Sequence, residues 1–414
     1  MARRSSIVSS LLLGSIGWLA STGSFGFELV ATLPHSLHRG PPAGAAVNEA
    51  GDPGRRRRTE ELPAPATARV LWQKQSAGGL SGNLLVDEQA RIFGTGNGRV
   101  FQWSVLGEQL FNVPAPFSSA LAAALLPGGT RVFSTREGRL LAFSPHGQFV
   151  FDVELDGSRT WNASSVLAMP GGGALAAFGG WLFHVDAVGA MQARLRWKEP
   201  VRHTLVAGNR AIGIDELGDV FEWDGHSEPI SRGSVGGRAS AAALSGSDQV
   251  VAIIGTRQLV RLSLASGEAR TWVDDSIGLL PQLAVPSDEQ VVLFRTDGAR
   301  LLAGPNDGIS VAPARGQNTS LDPLLLLTSP DGSRAWWTPE AALVLESGTD
   351  ELAELVEVHC ADPLSLVSLG AGRLAAGCGS GQLWALGPTA PGGPKNAPPS
   401  ASMGHGVRAH KIVY

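Results

Sequence analysis

The sequence predicts an all-β fold: an eight-bladed β-propeller of four-stranded antiparallel blades, closed by an N-terminal strand that completes the last blade. Three observations predict it. The composition is that of a globular chain with many tight turns, since 53 of 414 residues are glycine, 43% are hydrophobic and only 17% are charged, where ordinary soluble domains carry roughly 25% charged residues. One sequence pattern recurs eight times along the chain. A strand-like piece without a partner of its own precedes the first copy, and the last copy lacks a fourth strand.

The same composition excludes other classes. The hydrophobic content is too high for a disordered chain, glycine shows no three-residue period as in collagen, and two cysteines cannot staple a disulfide scaffold. Fourteen Phe and eleven Trp beside one Tyr, with so much glycine, favour short strands and turns over helices. Thirty-three basic against 37 acidic residues leave a net charge of −4, so no nucleic-acid partner is expected.

The first element reads as an export signal. Arg3 and Arg4 precede Ile7 to Phe27, an uncharged stretch with an apolar centre at Leu11, Leu12, Leu13, Ile16, Trp18 and Leu19, the layout of a secretory signal. Ser21 and Gly23, or Ser24 and Gly26, offer small residues for cleavage; an uncleaved anchor is the alternative. The stretch holds no cysteine for a lipid anchor, and any membrane contact is expected only through this segment if it is retained. Residues 28–68 read as a flexible linker rich in Pro, Gly and Arg, with Arg55, Arg56, Arg57 and Arg58 as a solvated charge run.

The body is the repeat. Copies begin at Gly98, Gly138, Gly180, Gly218, Arg257, Ala299, Ala341 and Gly381, spaced by 40, 42, 38, 39, 42, 42 and 40 residues. Two apolar residues follow two and three positions later in every copy, from Val100 and Phe101 to Leu383 and Trp384. Six positions before the start stands Ile92, Val132, Ala174, Ile212, Val251, Leu293, Ala335 or Ala375. These are two strands joined by a tight turn. A further turn carries Gly107, Gly147, Gly189 or Gly267, where a hairpin needs positive φ. An upstream strand such as Leu121 to Leu126 or Leu324 to Leu327, and a fourth such as Gln148 to Val153, complete the unit. Four strands in so short a unit cannot bury both faces alone, but eight sheets stacked radially can.

Ring closure is also predicted. Prolines after Gly387 bar a fourth strand in the last copy, and "ARVLWQKQ" from Ala68 fits the gap. Val70, Leu71 and Trp72, in the strand Val70 to Gln73, are expected to pair with Gln382 to Leu386, which holds Leu383 and Trp384. The propeller then spans 69–387, followed by a flexible tail over 388–414.

"FGTGNGRVFQWSVLGEQLFNV" from Phe93, "FSTREGRLLAFSPHGQFVFDV" from Phe133 and "GQLWAL" from Gly381 resemble the quinoprotein-type (PQQ-like) propeller repeat. In that family the dehydrogenases hold a quinone over calcium with a vicinal Cys–Cys ring and a carboxylate base. No vicinal pair or recognisable calcium ligand set stands in this sequence, so no cofactor is expected. The non-catalytic branch includes the propeller lipoprotein of the outer-membrane β-barrel assembly machinery, to which this chain is similar in blade number and export but not in a lipidated cysteine.

No catalytic or metal-ligating set emerges. The nine histidines are scattered, with neither His-x-x-x-His nor Cys-x-x-Cys, and "PNDG" from Pro305 reads as a turn. His184 and His203 read as strand or loop residues. Trp103, Trp223 and Trp384 read as packing between blades, whereas Trp336 and Trp337 must face opposite sides of a strand. Cys360 and Cys378, eighteen residues apart, read as a disulfide of the exported chain, with two buried thiols as the alternative. The expected function is therefore an exported, monomeric, non-catalytic scaffold of the envelope or cell exterior with a protein partner. A propeller enzyme with a site over the central channel, and a glycan or surface-polymer binder, are the alternatives.

Overall fold

A computed structural model of the chain describes residue 59; residues 61–388 except 77–78, 117–119, 136, 156–164, 170, 179, 274–277, 289, 296–299, 305–308, 313–325, 332, 338–341, 348–352, 359 and 361; and residues 409–412. The expectations for the export segment, for most of the linker with its arginine run, for the Pro305 turn and for residues 389–408 lie outside the described residues.

The described residues form eight antiparallel sheets and no α-helix. Blade 1 runs outward from Ser81–Val86 to Gln109–Pro114, blade 2 from Ala120–Leu125 to Phe149–Glu154, and blade 3 from Ser165–Ala168 to Met191–Arg196. Blade 4 runs from Val201–Ala207 to Ile230–Ser234, blade 5 from Ala239–Ser245 to Ala269–Val273, and blade 6 from Leu279–Ser287 to Ile309–Ala312. Blade 7 runs from Leu326–Thr328 to Ala353–Glu357 and carries a fifth strand, Ala409–Ile412, on its outer edge. Blade 8 takes three strands from Pro363–Gly370 to Gln382–Pro388 and its fourth from Ala68–Gln75. The predicted eight-bladed β-propeller is the observed fold.

Antiparallel order sets two ends. Turns joining the first and second strands, and the third and fourth, lie at one end, called here the hairpin end. Turns joining the second and third strands lie at the other with the crossovers to the next blade, called here the crossover end. The apolar runs of the sequence follow from burial on both faces: the second strands of blades 1 to 3 are buried at every residue, whereas their outer strands, Phe151 apart, are half-buried or exposed.

Because neighbouring side chains point to opposite faces, each sheet feeds two interfaces. Leu84, Val86 and Ile92 pack against blade 8, while Leu85 and Phe93 pack against blade 2. Apolar clusters occupy all eight seams between successive blades, including blade 8 against blade 1. Each fully buried Phe or Leu there contributes about 1.5–3 kcal/mol. The innermost seams add polar links: Ser165 Oγ lies 2.5 Å from Thr204 Oγ1, and the Leu84 amide donates to Ser365 Oγ at 2.9 Å.

The closing strand carries a bulge. Val70 pairs with Leu386 and Trp72 with Ala385, so Leu71 is the extra residue. Val70 faces blade 7, but Leu71 and Trp72 both face blade 1, because the extra residue turns Trp72 to the side that strict alternation denies it. There the Trp72 indole Nε1 donates to the Val105 carbonyl at 2.8 Å. Ahead of this strand, Thr59 bridges blades 7 and 8 through its amide to the Thr328 carbonyl (2.8 Å) and its hydroxyl to Ser368 Oγ (2.7 Å), and Leu62 is buried in the same seam.

Candidate functional site

The residues marked in the sequence are mostly framework. Leu383 and Trp384 are buried on opposite faces of blade 8, towards blades 1 and 7 respectively. Trp103 and Trp223 are also buried. Trp337 packs in the seam with blade 8 and half-buried Trp336 in the seam with blade 6, so the adjacent pair divides between two interfaces. None of the nine tryptophans among the described residues is exposed. Cys360 and Cys378 are placed as a disulfide, with Cα atoms 5.7 Å apart, in the seam of blades 7 and 8.

The two histidines singled out lie in strands. His203, on the innermost strand of blade 4, donates from Nε2 to the Ala239 carbonyl at 3.0 Å and ties blade 4 to blade 5. His184, on the third strand of blade 3, meets His226 in the hairpin turn of blade 4, the ring centroids 5.6 Å apart. Burial holds the His184 imidazole below its ordinary pKa, and His226 pushes the same way. Among the described residues no three of His, Cys, Asp and Glu are grouped so as to hold a metal ion. Arg131 is fully buried over the Phe93 ring at 4.2 Å, with Asp87 Oδ2 at 3.3 Å and the Ser144 carbonyl at 3.0 Å. Burial pushes its pKa down to about 10 against the opposing pull of Asp87. It joins blades 1 and 2 and is out of reach of solvent.

Two surface features remain. The first is an apolar arc on the hairpin end. Leu106 and Leu110 of blade 1, Phe149 and Val150 of blade 2, Val188 and Met191 of blade 3, and Ile230 of blade 4 are exposed, Leu106 by 71% and Val188 by 75%. All lie in the outer hairpin turns or the first half of the outer strands of four successive blades. Leu217, in a crossover-end turn of blade 4, is exposed by 60% as well, but these seven share one end of four successive blades, and apolar exposure gathered on one side of a protein is a feature of interaction sites. Sequence reasoning passed over this arc because the turns were read for their glycines. The legible signal was the apolar residue just before the glycine in "VLGE" and "AVGA".

The second is a cleft of about 440 Å³ at the crossover end between blades 4 and 5, lined by Arg202, Arg238, Ala239, Ser240, Ile254 and Gly255. Glu216, in a turn of blade 4, holds both arginines: its Oε1 lies 3.1 Å from Arg202 Nη1 and its Oε2 2.8 Å from Arg238 Nε. Arg202 Nε also donates to the Ala239 carbonyl at 3.1 Å. Arg202 and Glu216 meet across the sheet of blade 4, and only the adjacency of blade 5 brings Arg238 to them, so no motif spacing announces the cleft.

Comparison with known proteins bears on the fold. No family model matches the chain, and no curated protein matches it in sequence. Among solved structures, BamB from Moraxella catarrhalis, a PQQ-like β-propeller, matches with a TM-score of 0.58 at 14% identity, over 77% of this chain and 99% of that one. The chain is a β-propeller. The computationally designed Ika8 protein matches it at a TM-score of 0.57 and 16% identity, over 75% of this chain and 99% of that one. The C-terminal WD40 domain of Sif2 matches at 0.53 and 12%, over 70% and 85%. Propellers of different repeat types thus match about equally well. What this propeller shares with them is the radial stacking of four-stranded sheets, and function has to be argued from its own surface.

Proposed function

We propose that this propeller is an exported, non-catalytic scaffold of the cell envelope that works as a monomer and binds another envelope or extracellular protein. The observation that carries this reading is the apolar arc from Leu106 to Ile230, exposed large apolar side chains at the same end of four successive blades. Its partner is a polypeptide with an apolar strip of its own, because burying such a band is the main free-energy gain open to this end of the molecule. Export rests on the Arg3–Phe27 segment of the sequence.

The experiment is recovery of cross-linked partners from envelope extract with the full chain and with a Leu106→Ser/Phe149→Ser/Val188→Ser variant. These side chains are exposed, so the variant is expected to keep its melting temperature. The expected result is one protein, identified by mass spectrometry, that the wild type captures and the variant loses. Equal recovery by both, or no protein above background, overturns the reading.

A further inference from the structure

The cleft between blades 4 and 5 lies at the opposite end from the apolar arc and is independent of it. Its chemistry is specific. Two guanidinium groups share one carboxylate, so the trio carries a net charge of +1. Glu216 occupies Arg202 Nη1 and Arg238 Nε, and the Ala239 carbonyl occupies Arg202 Nε. Arg202 Nη2 and both Nη nitrogens of Arg238 have no protein partner among the described residues. Arginine's planar fork donates to an oxyanion through paired N–H groups, and a carboxylate that fixes its position reduces the rotamer freedom lost on binding.

The rest of the cleft narrows the class of ligand. Ile254 and Ala239 give it an apolar wall, and Ser240 is not offered as a donor, its hydroxyl lying against the Ile253 and Gly255 carbonyls at 3.1 and 3.0 Å. The volume lies within the roughly 300–1,000 Å³ of small-ligand sites. A single net positive charge with a carboxylate already present suits a monoanion. A doubly charged phosphate would gain from the arginines but be repelled by Glu216 at the same contact.

We propose that this cleft is a carboxylate-binding site for a polypeptide, taking either an acidic side chain or a free chain terminus, with the neighbouring aliphatic group against Ile254. Arg238 supplies the free paired donors, Arg202 adds its one free nitrogen, Nη2, and Glu216 positions both.

The test is saturation-transfer NMR and titration with the full-length protein. Four probes are used: acetyl-Leu-Glu-amide, acetyl-Leu-Leu with a free carboxylate, the neutral acetyl-Leu-Gln-amide, and inorganic phosphate as competitor. Saturable binding is expected for the first or the second probe, telling a side-chain from a terminal carboxylate, and not for the neutral one. Arg238→Gln, at an exposed position whose loss does not threaten folding, is expected to weaken binding about tenfold or more, by the loss of a charge-assisted pair. Glu216→Gln is expected to admit phosphate as an effective competitor. Equal binding of the neutral probe, unchanged affinity in Arg238→Gln, phosphate displacing the peptide from the wild type at equal concentration, or no saturable binding would each overturn the proposal. None of these results bears on the hairpin-end arc, whose own variant tests it separately.

Discussion

Gly147 in the outer hairpin of blade 2 lies under the ring of Phe111 of blade 1, so close that an added Cβ would approach ring carbons to 2.9 Å. Gly107 stands to Trp72, and Gly189 to Phe151, in the same way. The turn glycine of each of these blades caps the outer-strand aromatic of the blade before it. The glycine therefore answers two demands, a φ of +79° at Gly147 and a close approach.

Gly147→Ala is expected to destabilise the protein by the roughly 1–2 kcal/mol of a left-handed alanine, plus about 1–3 kcal/mol for forcing the ring aside. Gly128→Ala is the control, with φ at +87° and nothing within 4 Å of the added methyl. It is expected to lose only the first amount in urea denaturation. Equal losses would show that the Phe111 contact carries no weight.

Removal of residues 1–75 is expected to expose the edge of Gln382–Pro388, remove the Trp72–Val105 bond and lower the melting temperature by many degrees. Trp72→Ala alone is expected to lose about 3–5 kcal/mol. A truncated protein that melts like the full chain would contradict the latch.

Asp87 is the charge that compensates Arg131 between blades 1 and 2. Asp87→Ala is expected to lose about 3–5 kcal/mol by leaving a buried cation unpaired, whereas Asp87→Leu/Arg131→Met together are expected to lose less. Denaturation of both variants and the wild type gives the comparison, and a double variant weaker than the single one refutes it.

The disulfide and the histidine pair give two solution tests. Denatured, unreduced protein is expected to show no free thiol from Cys360 and Cys378, and reduction to lower stability by roughly 3 kcal/mol for a loop of this length; two titratable thiols would rule the bond out. For His184 the folded pKa lies below the unfolded value near 6.5. Its contribution to stability is complete above that value and is lost as pH falls from it through the folded pKa. The wild type is therefore expected to lose more stability than His184→Asn between pH 7.5 and 5, and parallel pH profiles would reject the effect.

How much was legible follows from where the information lies. A blade is local: its apolar runs, its turn glycines and its forty-residue spacing sit within one stretch of chain, so the blade count and the missing strand near Trp72 could be read directly. Even the division of Trp336 and Trp337 between two seams follows from the pleat. The arc was half legible, in Leu106 and Val188 before their glycines, but that Phe149, Val150 and Ile230 stand exposed at the same end of the neighbouring blades is decided by the order of the strands in each sheet.

The sequence by itself determined the repeat, the eight sheets and the need for a strand from the other end of the chain, because hydrophobic periodicity and turn chemistry act between neighbours. Only the tertiary structure decided which side Trp72 faces, since one bulged residue reverses it, and which charges meet at the cleft, since packing blade 5 on blade 4 brings Arg238 to the Arg202–Glu216 pair. Side-chain direction in a strand has a period of two, so a single irregularity that no pattern announces moves a residue from one interface to another.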